Sequence, residues 1–466
     1  MYSQDKMKLK VGLLPLYLNM YDEIIPEVKI ELNLFLKRVT DLLTQRGIDV
    51  VSVDICGVSR EFETAINQFE NENVDSIVTL HLAYSPSLEC IDSLCKTELP
   101  IVVMDTTRDK KFDSISLLMY NHGIHGVQDM CNLLLQRGKT FFLEAGHIDS
   151  SDVVIRIIQH VKGARIAKEF KSSRVGQIGE SFEGMGDFVV EPKRLASDYG
   201  IQIIKTSPLQ LESYYSTVNK HDIFEEMQNN IKEYDLTQVC DESHYLSTQI
   251  GQVLKRWISN YGLTGFTINF KAVRKNSGLP MMPFFEICKL MKNGKIGYAG
   301  EGDILTAALT GALSRVLNEC SFAEMFCPDW ENDTIFLSHM GEINFEIIED
   351  KAKLIEMEWL FTDADRYLSP SACFKSGEAT LVCLAPKSGG NFSLITAPVV
   401  MLDDYYGESF GDGIRGWMKP SIPVPEFLKK YSEAGGIHHM AIVYGTHLMT
   451  LKTFGEIMNW DVIEII

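Results

Sequence analysis

The chain has ten cysteines but no C-x-x-C pair and no regular cysteine spacing. That speaks against a disulfide framework or a thiolate zinc site, and leaves reduced thiols packed inside a cytoplasmic protein as the expectation. Cys320 and Cys327 lie nearest the stretch that carries the chemistry, but thiolates would favour soft metals. No glycine-rich fingerprint opens the first helix, where LPLYLNMYDE stands instead. GKTFFL at 138–143 has no upstream glycine and leads into a strand, so it is not a phosphate loop. Nucleotide binding is set aside on both counts. The opening MYSQDKMKLKVGLLPLYL carries lysines, too short an apolar run for a membrane span, and no small-residue cleavage signal after it. No membrane partner is expected. Basic charge is scarce, with 44 Lys and Arg against 63 Asp and Glu and a formal charge of −19. This argues against nucleic acid, where affinity rests on neutralising phosphates. The acidity itself mostly reports solubility. There is no internal repeat and no low-complexity segment.

At 466 residues the chain has room for about three domains of roughly 150 residues each. Apolar residues at 45% and charged residues at 23% are ordinary for a globular protein. Strand-like runs at 7–16, 49–56, 75–82, 100–106 and TFFLEAG alternate with helical patterns over 26–46, EFETAINQFEN, SPSLECIDSLC, 125–136 and 151–169. In 26–46 the apolar stripe reads as Ile30, Leu34, Val39 and Leu43. Such alternation predicts parallel strands with helical crossovers, hence a doubly wound α/β domain over 1–170 whose ligand edge lies at the strands' carboxyl ends. A second α/β domain is placed at 171–318. It begins with the strand VGQIG and the turn ESFEGMGDF, whose glycines are read as turn geometry rather than phosphate binding. YGIQIIKTS follows as a strand, and 221–260 is read as mainly helical. Beyond Asn318, IFLSHMGEINFEI, AKLIEMEW, EATLVCLA and FSLITAPVVML are strand-like and broken by Gly, Pro, Asn and Asp. They predict a β-rich, barrel-like C-terminal domain over 319–466. It closes with the helix VPEFLKKYSEAGG, a strand after His438-His439, a helix at 450–458 and the strand DVIEII.

The chemistry concentrates between Tyr298 and Asn344. Glu301 stands between two glycines, with Asp303 and Thr306 at the start of the helix that follows. Glu324 follows a Cys-Ser-Phe-Ala run, and His339 ends the strand-like IFLSH. His438-His439 is the only adjacent histidine pair in the chain. Carboxylate and imidazole ligands without thiolate suit Mn²⁺, Mg²⁺, Co²⁺ or Fe²⁺ better than a closed zinc site. Held by Glu301, Glu324, His339 and His439, an octahedral ion keeps two positions for neighbouring sugar oxygens, and the two glutamates could then move a proton between C1 and C2. Each residue also has a plainer reading. Glu301 serves equally as a helix N-terminal carboxylate, Glu324 as a solvated side chain, and His339 as a hydrogen-bonded core histidine. Adjacent strand residues face opposite ways, so one histidine of the pair is expected in the site. His439 is taken as the ligand, and His438 is left to contact substrate or a carboxylate.

GEGDILTAAL at 300–309 is similar to GEGDW-x-TAAL of the L-arabinose isomerase family, within the wider L-fucose/L-arabinose isomerase superfamily. SFAEM at 321–325 resembles its SFMED, LSHMGE at 337–342 its GSHMLE, and AGGIHHMAIVYG at 434–445 its AGGAHHT segment. A weaker likeness links NHGIHG at 121–126 to NQTAHG. The resemblance implies two α/β domains and a β-rich one, and aldose–ketose isomerisation with Mn²⁺ as the usual metal. It puts metal ligands at Glu301, Glu324, His339 and His439, with both glutamates also transferring protons. Asp303, His438, His125 and His122 fall to substrate binding. A homo-oligomer built on trimers, commonly a hexamer, is implied, with His125 delivered to a neighbour's site. Three departures stand out. Leu18 or Asn19 occupies the place of a family glutamine, His122 replaces the glutamine of NQTAHG, and Met325 replaces the acid after SFMED's glutamate. Changed hydrogen-bond partners alter which hydroxyl configuration is accepted, so a pentose, hexose or deoxy sugar other than arabinose is expected. Two further readings stand beside this one: a sugar epimerase on the same site, and a non-catalytic sugar-binding or regulatory paralogue.

Overall fold

The computed structural model describes residues 8–466, so Met7, read as the start of the first strand, lies outside them. The described chain divides into two compact units. One holds residues 8–168 with 449–458, and the other 169–448 with 459–466.

In the first unit, β1 (Lys10–Leu16), β2 (Asp49–Ser52), β3 (Ser76–His81), β4 (Ile101–Asp105) and β5 (Phe141–Ala145) form an all-parallel sheet in the order β2-β1-β3-β4-β5. The central strands are apolar on both faces, with Leu13, Leu14, Val78, Leu80, Val102 and Val103 buried, because helices cover the sheet on both sides. This is the doubly wound layout that the alternating pattern predicts. The helix Val28–Gln45 forms, but its buried stripe is Val28, Leu32, Phe35, Val39 and Leu43. Ile30 and Leu34 are 65% and 59% exposed. The inward face advances in steps of three and four residues from Val28, and Ile30 and Leu34 lie off that track.

The second unit opens with β6 (Arg174–Ile178), β7 (Gln202–Thr206), β8 (Asp235–Gln238), β9 (Gly265–Ile268) and β10 (Gly297–Gly300). Four of these make a parallel sheet in the order β10-β9-β6-β7. The exception, β8, separates the helices Lys220–Glu233 and Asp241–Tyr261 within the stretch read as mainly helical. Its pairing is with a strand more than a hundred residues away, which no local pattern announces.

The remaining strands are β11 (Cys320–Asp329), β12 (Thr334–Ser338), β13 (Lys353–Met357), β14 (Tyr367–Cys373), β15 (Gly377–Pro386), β16 (Phe392–Leu402), β17 (Ile414–Pro420), β18 (His439–Tyr444) and β19 (Asp461–Glu464). Six close on themselves in the order β16-β15-β18-β11-β12-β17, every neighbour antiparallel, and β17 returns to β16. Closure removes the sheet edges among these six and makes the expected barrel. Between parallel sheet and barrel runs the helix Ile304–Leu317, buried almost all round, as its mostly apolar and small residues allow. It lies directly on strand backbone: a Cβ on Gly297 would fall 2.2 Å from Ala307 O. Asn318, the last residue of the second domain in the sequence reading, caps this helix.

Candidate metal centre

Glu301 directly follows β10, at the carboxyl edge of the parallel sheet. The chain turns sharply there, with Asp303 N donating to Gly300 O at 3.0 Å. Glu301 adopts φ +62° and Gly302 φ +83°. A left-handed residue with a side chain costs about 1–2 kcal/mol, so the turn must be held. Phe182 N donates to Glu301 O at 2.8 Å, and Thr267 Oγ1 accepts from Gly302 N at 3.0 Å while donating to Gly300 O at 3.1 Å. Asp303 is the N-cap of the next helix: Oδ1 accepts from Leu305 N and Thr306 N at 3.0 and 2.9 Å. Its Oδ2 lies 2.8 Å from His439 Nδ1.

The barrel supplies the other side. In the β-ladder Glu324 of β11 stands opposite His439 of β18 and Ser338 of β12, and cross-strand partners share a face. His339 follows Ser338 at once. Glu324 Oε1 lies 2.9 Å from His439 Nε2 and 3.1 Å from His339 Nε2. Behind His339, Glu342 Oε2 is 2.5 Å from Nδ1, and Tyr298 Oη donates to Glu342 Oε1 at 3.2 Å. His438 precedes β18 and is held from behind by Asp187 Oδ2, 2.6 Å from its Nδ1. Glu301 Oε2 stands 3.7 Å from His438 Nε2 and 3.8 Å from His439 Nε2.

Three buried atoms here, Glu301 Oε2, His438 Nε2 and His439 Nε2, have no hydrogen-bond partner among the described residues. Each of Glu301, Glu324, His438 and His439 offers a ligand atom within 4.8 Å of the others. Atoms bound to one cation at about 2.1 Å lie about 3–4.2 Å apart, so a few tenths of an ångström of side-chain movement within this span would seat a shared ion. Three histidines each have a carboxylate behind Nδ1, the arrangement that fixes ring orientation and leaves Nε2 forward.

The charges reinforce one another. Burial alone would raise the Glu324 carboxyl, but the His339 and His439 imidazoles beside it bring it well below the usual carboxylate range. Burial pulls His339 down, yet the charge of Glu342 and the bonds to both glutamates lift it to about 10. His438 rises to about 9 against its burial, through Glu301 and Asp187. His439 is also raised against burial, chiefly through Asp303 and Glu324.

The structure thus gathers Glu301, Glu324, His438 and His439 into one quartet, with His438 where the sequence reading put His339; His339 stands beside it, 3.1 Å from Glu324 Oε1. Both members of the histidine pair enter the site, unlike the expectation of one, because β18 starts only at His439 and strand alternation does not govern His438. Asp303, read as a substrate contact, is fully buried and has its oxygens engaged by the helix cap and His439. His122 and His125 belong to the first unit. There Tyr21 Oη lies 2.9 Å from His122 Nε2, burial lowers the His122 pKa, and the two imidazole rings lie edge to face at 6.1 Å. The sequence reading missed Asp187 and Glu342. The only local signal for Glu342 is its place three residues after His339.

Residues 191–319 match the L-arabinose isomerase central domain, and 319–461 the L-arabinose isomerase C-terminal domain. L-arabinose isomerase 1 of Bacillus licheniformis is 25% identical over 91% of this chain and 87% of its own length. The L-arabinose isomerase of Erwinia tasmaniensis is 22% identical over 92% and 89%, and that of Bacillus subtilis 22% over 80% and 77%. The class is therefore that of the sugar isomerases, which are intramolecular oxidoreductases. The chain belongs to the L-arabinose isomerase family, as a divergent member.

Proposed function

We propose that this chain is a metal-dependent aldose–ketose isomerase acting on a pentose, hexose or deoxy sugar, with Mn²⁺ as its ion. The observation that carries the reading is the convergence of three buried, unpartnered ligand atoms beside the Glu324 carboxylate. Burying polar atoms without partners is costly; a divalent cation would satisfy Glu301 and His439, and a sugar hydroxyl beside it would meet His438. Glu301, Glu324, His339 and His439 would hold it. When bound, the ion polarises the sugar carbonyl and stabilises the developing oxyanion.

The rest is done by the chain. Glu301 enters from the end of β10 and Glu324 from the barrel, so a sugar chain meets carboxylates contributed by two different elements. One takes the C2 proton and the other serves the carbonyl oxygen, through an enediol, and the same pair returns the proton at C1. Phe322 packs its ring against both His339 and His439, at 4.9 Å each, and helps exclude water. Replacement of family residues by Leu18 or Asn19, His122 and Met325 directs the site to a sugar other than arabinose. His125 and His122 meet the sugar of a neighbouring copy in a trimer-based, hexameric assembly. The ten cysteines are free, which suits a reducing, cytoplasmic setting.

The test strips the protein with a chelator, reloads it with Mn²⁺, Mg²⁺, Co²⁺ or Fe²⁺, and offers a panel of aldoses. Ketose is expected only from loaded protein. A C2 epimer in its place would move the reading to an epimerase, and no product from any aldose would end it. The assembly is read separately by light scattering, where a monomer would refute the shared site.

A further inference from the structure

We propose that Asp187 is a positioning residue of this site, holding His438 so that its Nε2 faces a hydroxyl of the bound sugar. The inference rests on the isomerase reading above.

Asp187 lies in the glycine-rich loop between β6 and the helix Pro192–Tyr199, a segment otherwise explained by turn geometry alone. Its Oδ2 accepts from His438 backbone N at 3.0 Å and lies 2.6 Å from His438 Nδ1. Two contacts from one oxygen fix both the ring's rotation and the nitrogen that points back. The forward atom, Nε2, is buried, lacks a hydrogen-bond partner and stands 3.7 Å from Glu301 Oε2. The next residue, Phe188, is buried and stacks on His439, with centroids 4.9 Å apart and planes 18° from parallel. Consecutive loop residues thus brace consecutive histidines. The two differ in access: the His439 side chain is fully enclosed between Asp303 and Glu324, whereas a third of the His438 side chain is open. His439 is placed for the ion and His438 for the sugar, so Asp187 acts on substrate fit rather than on metal retention.

The experiment uses the full-length protein with Asp187→Asn, Asp187→Glu, His438→Ala, His439→Ala and the Asp187→Asn/His438→Ala pair. Mn²⁺ binding is read from the electron paramagnetic resonance of the free ion. Histidine accessibility is read by diethyl pyrocarbonate labelling with peptide mass spectrometry, which needs neither metal nor sugar. In Asp187→Asn, Mn²⁺ affinity should stay near wild type while His438 labels several-fold faster and His339 and His439 do not. KM for the aldose that the wild type converts should rise about tenfold, more than kcat falls. Asp187→Glu should recover part of this, and Asp187→Asn should add nothing once His438 is alanine. Unchanged His438 labelling would overturn the proposal. So would a loss of Mn²⁺ binding as large as in His439→Ala, or an effect that persists without His438. If labelling behaves as expected but the wild type converts no aldose, the isomerase reading fails and takes with it the sugar-facing role, while the Asp187–His438 pairing stands.

Discussion

Replacing Gly302 with alanine tests how the Glu301 turn is held. Gly302 sits at φ +83°, and a Cβ there would lie 2.6 Å from Ser181 Cα and 2.7 Å from Glu180 O. Both neighbours are backbone, so neither can swing aside. Gly262 supplies the control: it also has positive φ, +57°, but nothing lies within 4 Å of its Cβ position. Each substitution incurs a left-handed penalty of about 1–2 kcal/mol. Only Gly302→Ala adds backbone overlap, worth about 1–3 kcal/mol more. At roughly 2–4 °C per kcal/mol for a unit of this size, Gly262→Ala should lower Tm by a few degrees and Gly302→Ala by roughly twice that. The overlap would also push the loop carrying Glu180 and Ser181 away from Glu301. Mn²⁺ affinity should therefore fall in Gly302→Ala and stay unchanged in Gly262→Ala. Calorimetry and Mn²⁺ titration on the two proteins decide it. If both melt alike and both bind Mn²⁺ as the wild type does, the turn is not the constrained element described here.

Glu324→Gln leaves His339 and His439 without their shared carboxylate, a loss of about 3–5 kcal/mol for a buried charge partner, and should weaken Mn²⁺ at least a hundredfold in a binding isotherm. Glu342→Gln removes only the orienting carboxylate behind His339 and should cost roughly 10–100-fold in metal affinity, with an unchanged isotherm counting against that role. Near neutral pH the metal-free protein holds His438 and His339 mostly protonated, since their pKa values rise to about 9 and about 10. Ligation requires neutral imidazole, so Mn²⁺ binding at His339 should release a proton and tighten as pH rises, seen as a heat that varies with buffer ionisation enthalpy. The same raised values give the metal-free fold a stabilisation that is full below the ordinary histidine pKa and fades as pH climbs through about 9 and 10. A melting temperature of the stripped protein that rises over that window would contradict the assignment.

The first parallel sheet was legible because its strand–helix alternation is written locally, in strand-like runs of four to seven residues followed by amphipathic ones. Glu301 and Asp303 were legible for a similar reason: a carboxylate between glycines and a capping aspartate share four consecutive residues. Glu324 was harder. Its strand β11 shifts register between Met325 and Cys327 and turns progressively exposed after Ala323, so it lacks the long buried run that marks β15 or β16. What sequence cannot carry is pairing at a distance. Asp187 and His438 are 251 positions apart, and neither residue's neighbours mention the other. The stripe of the helix Val28–Gln45 failed more simply. Ile30 and Leu34 are as apolar as Leu32 and Phe35, and only the packed sheet decides which set turns inward.

The ladder positions of β11 have one further bearing. Sliding that strand by a single residue would still allow antiparallel pairing, yet Glu324 would turn to the opposite face, away from His439 and Ser338. A misassembled population could therefore match the native strand content while being unable to retain Mn²⁺. Cation uptake during refolding would count only correctly aligned molecules, which makes it a sharper gauge of recovery than circular dichroism.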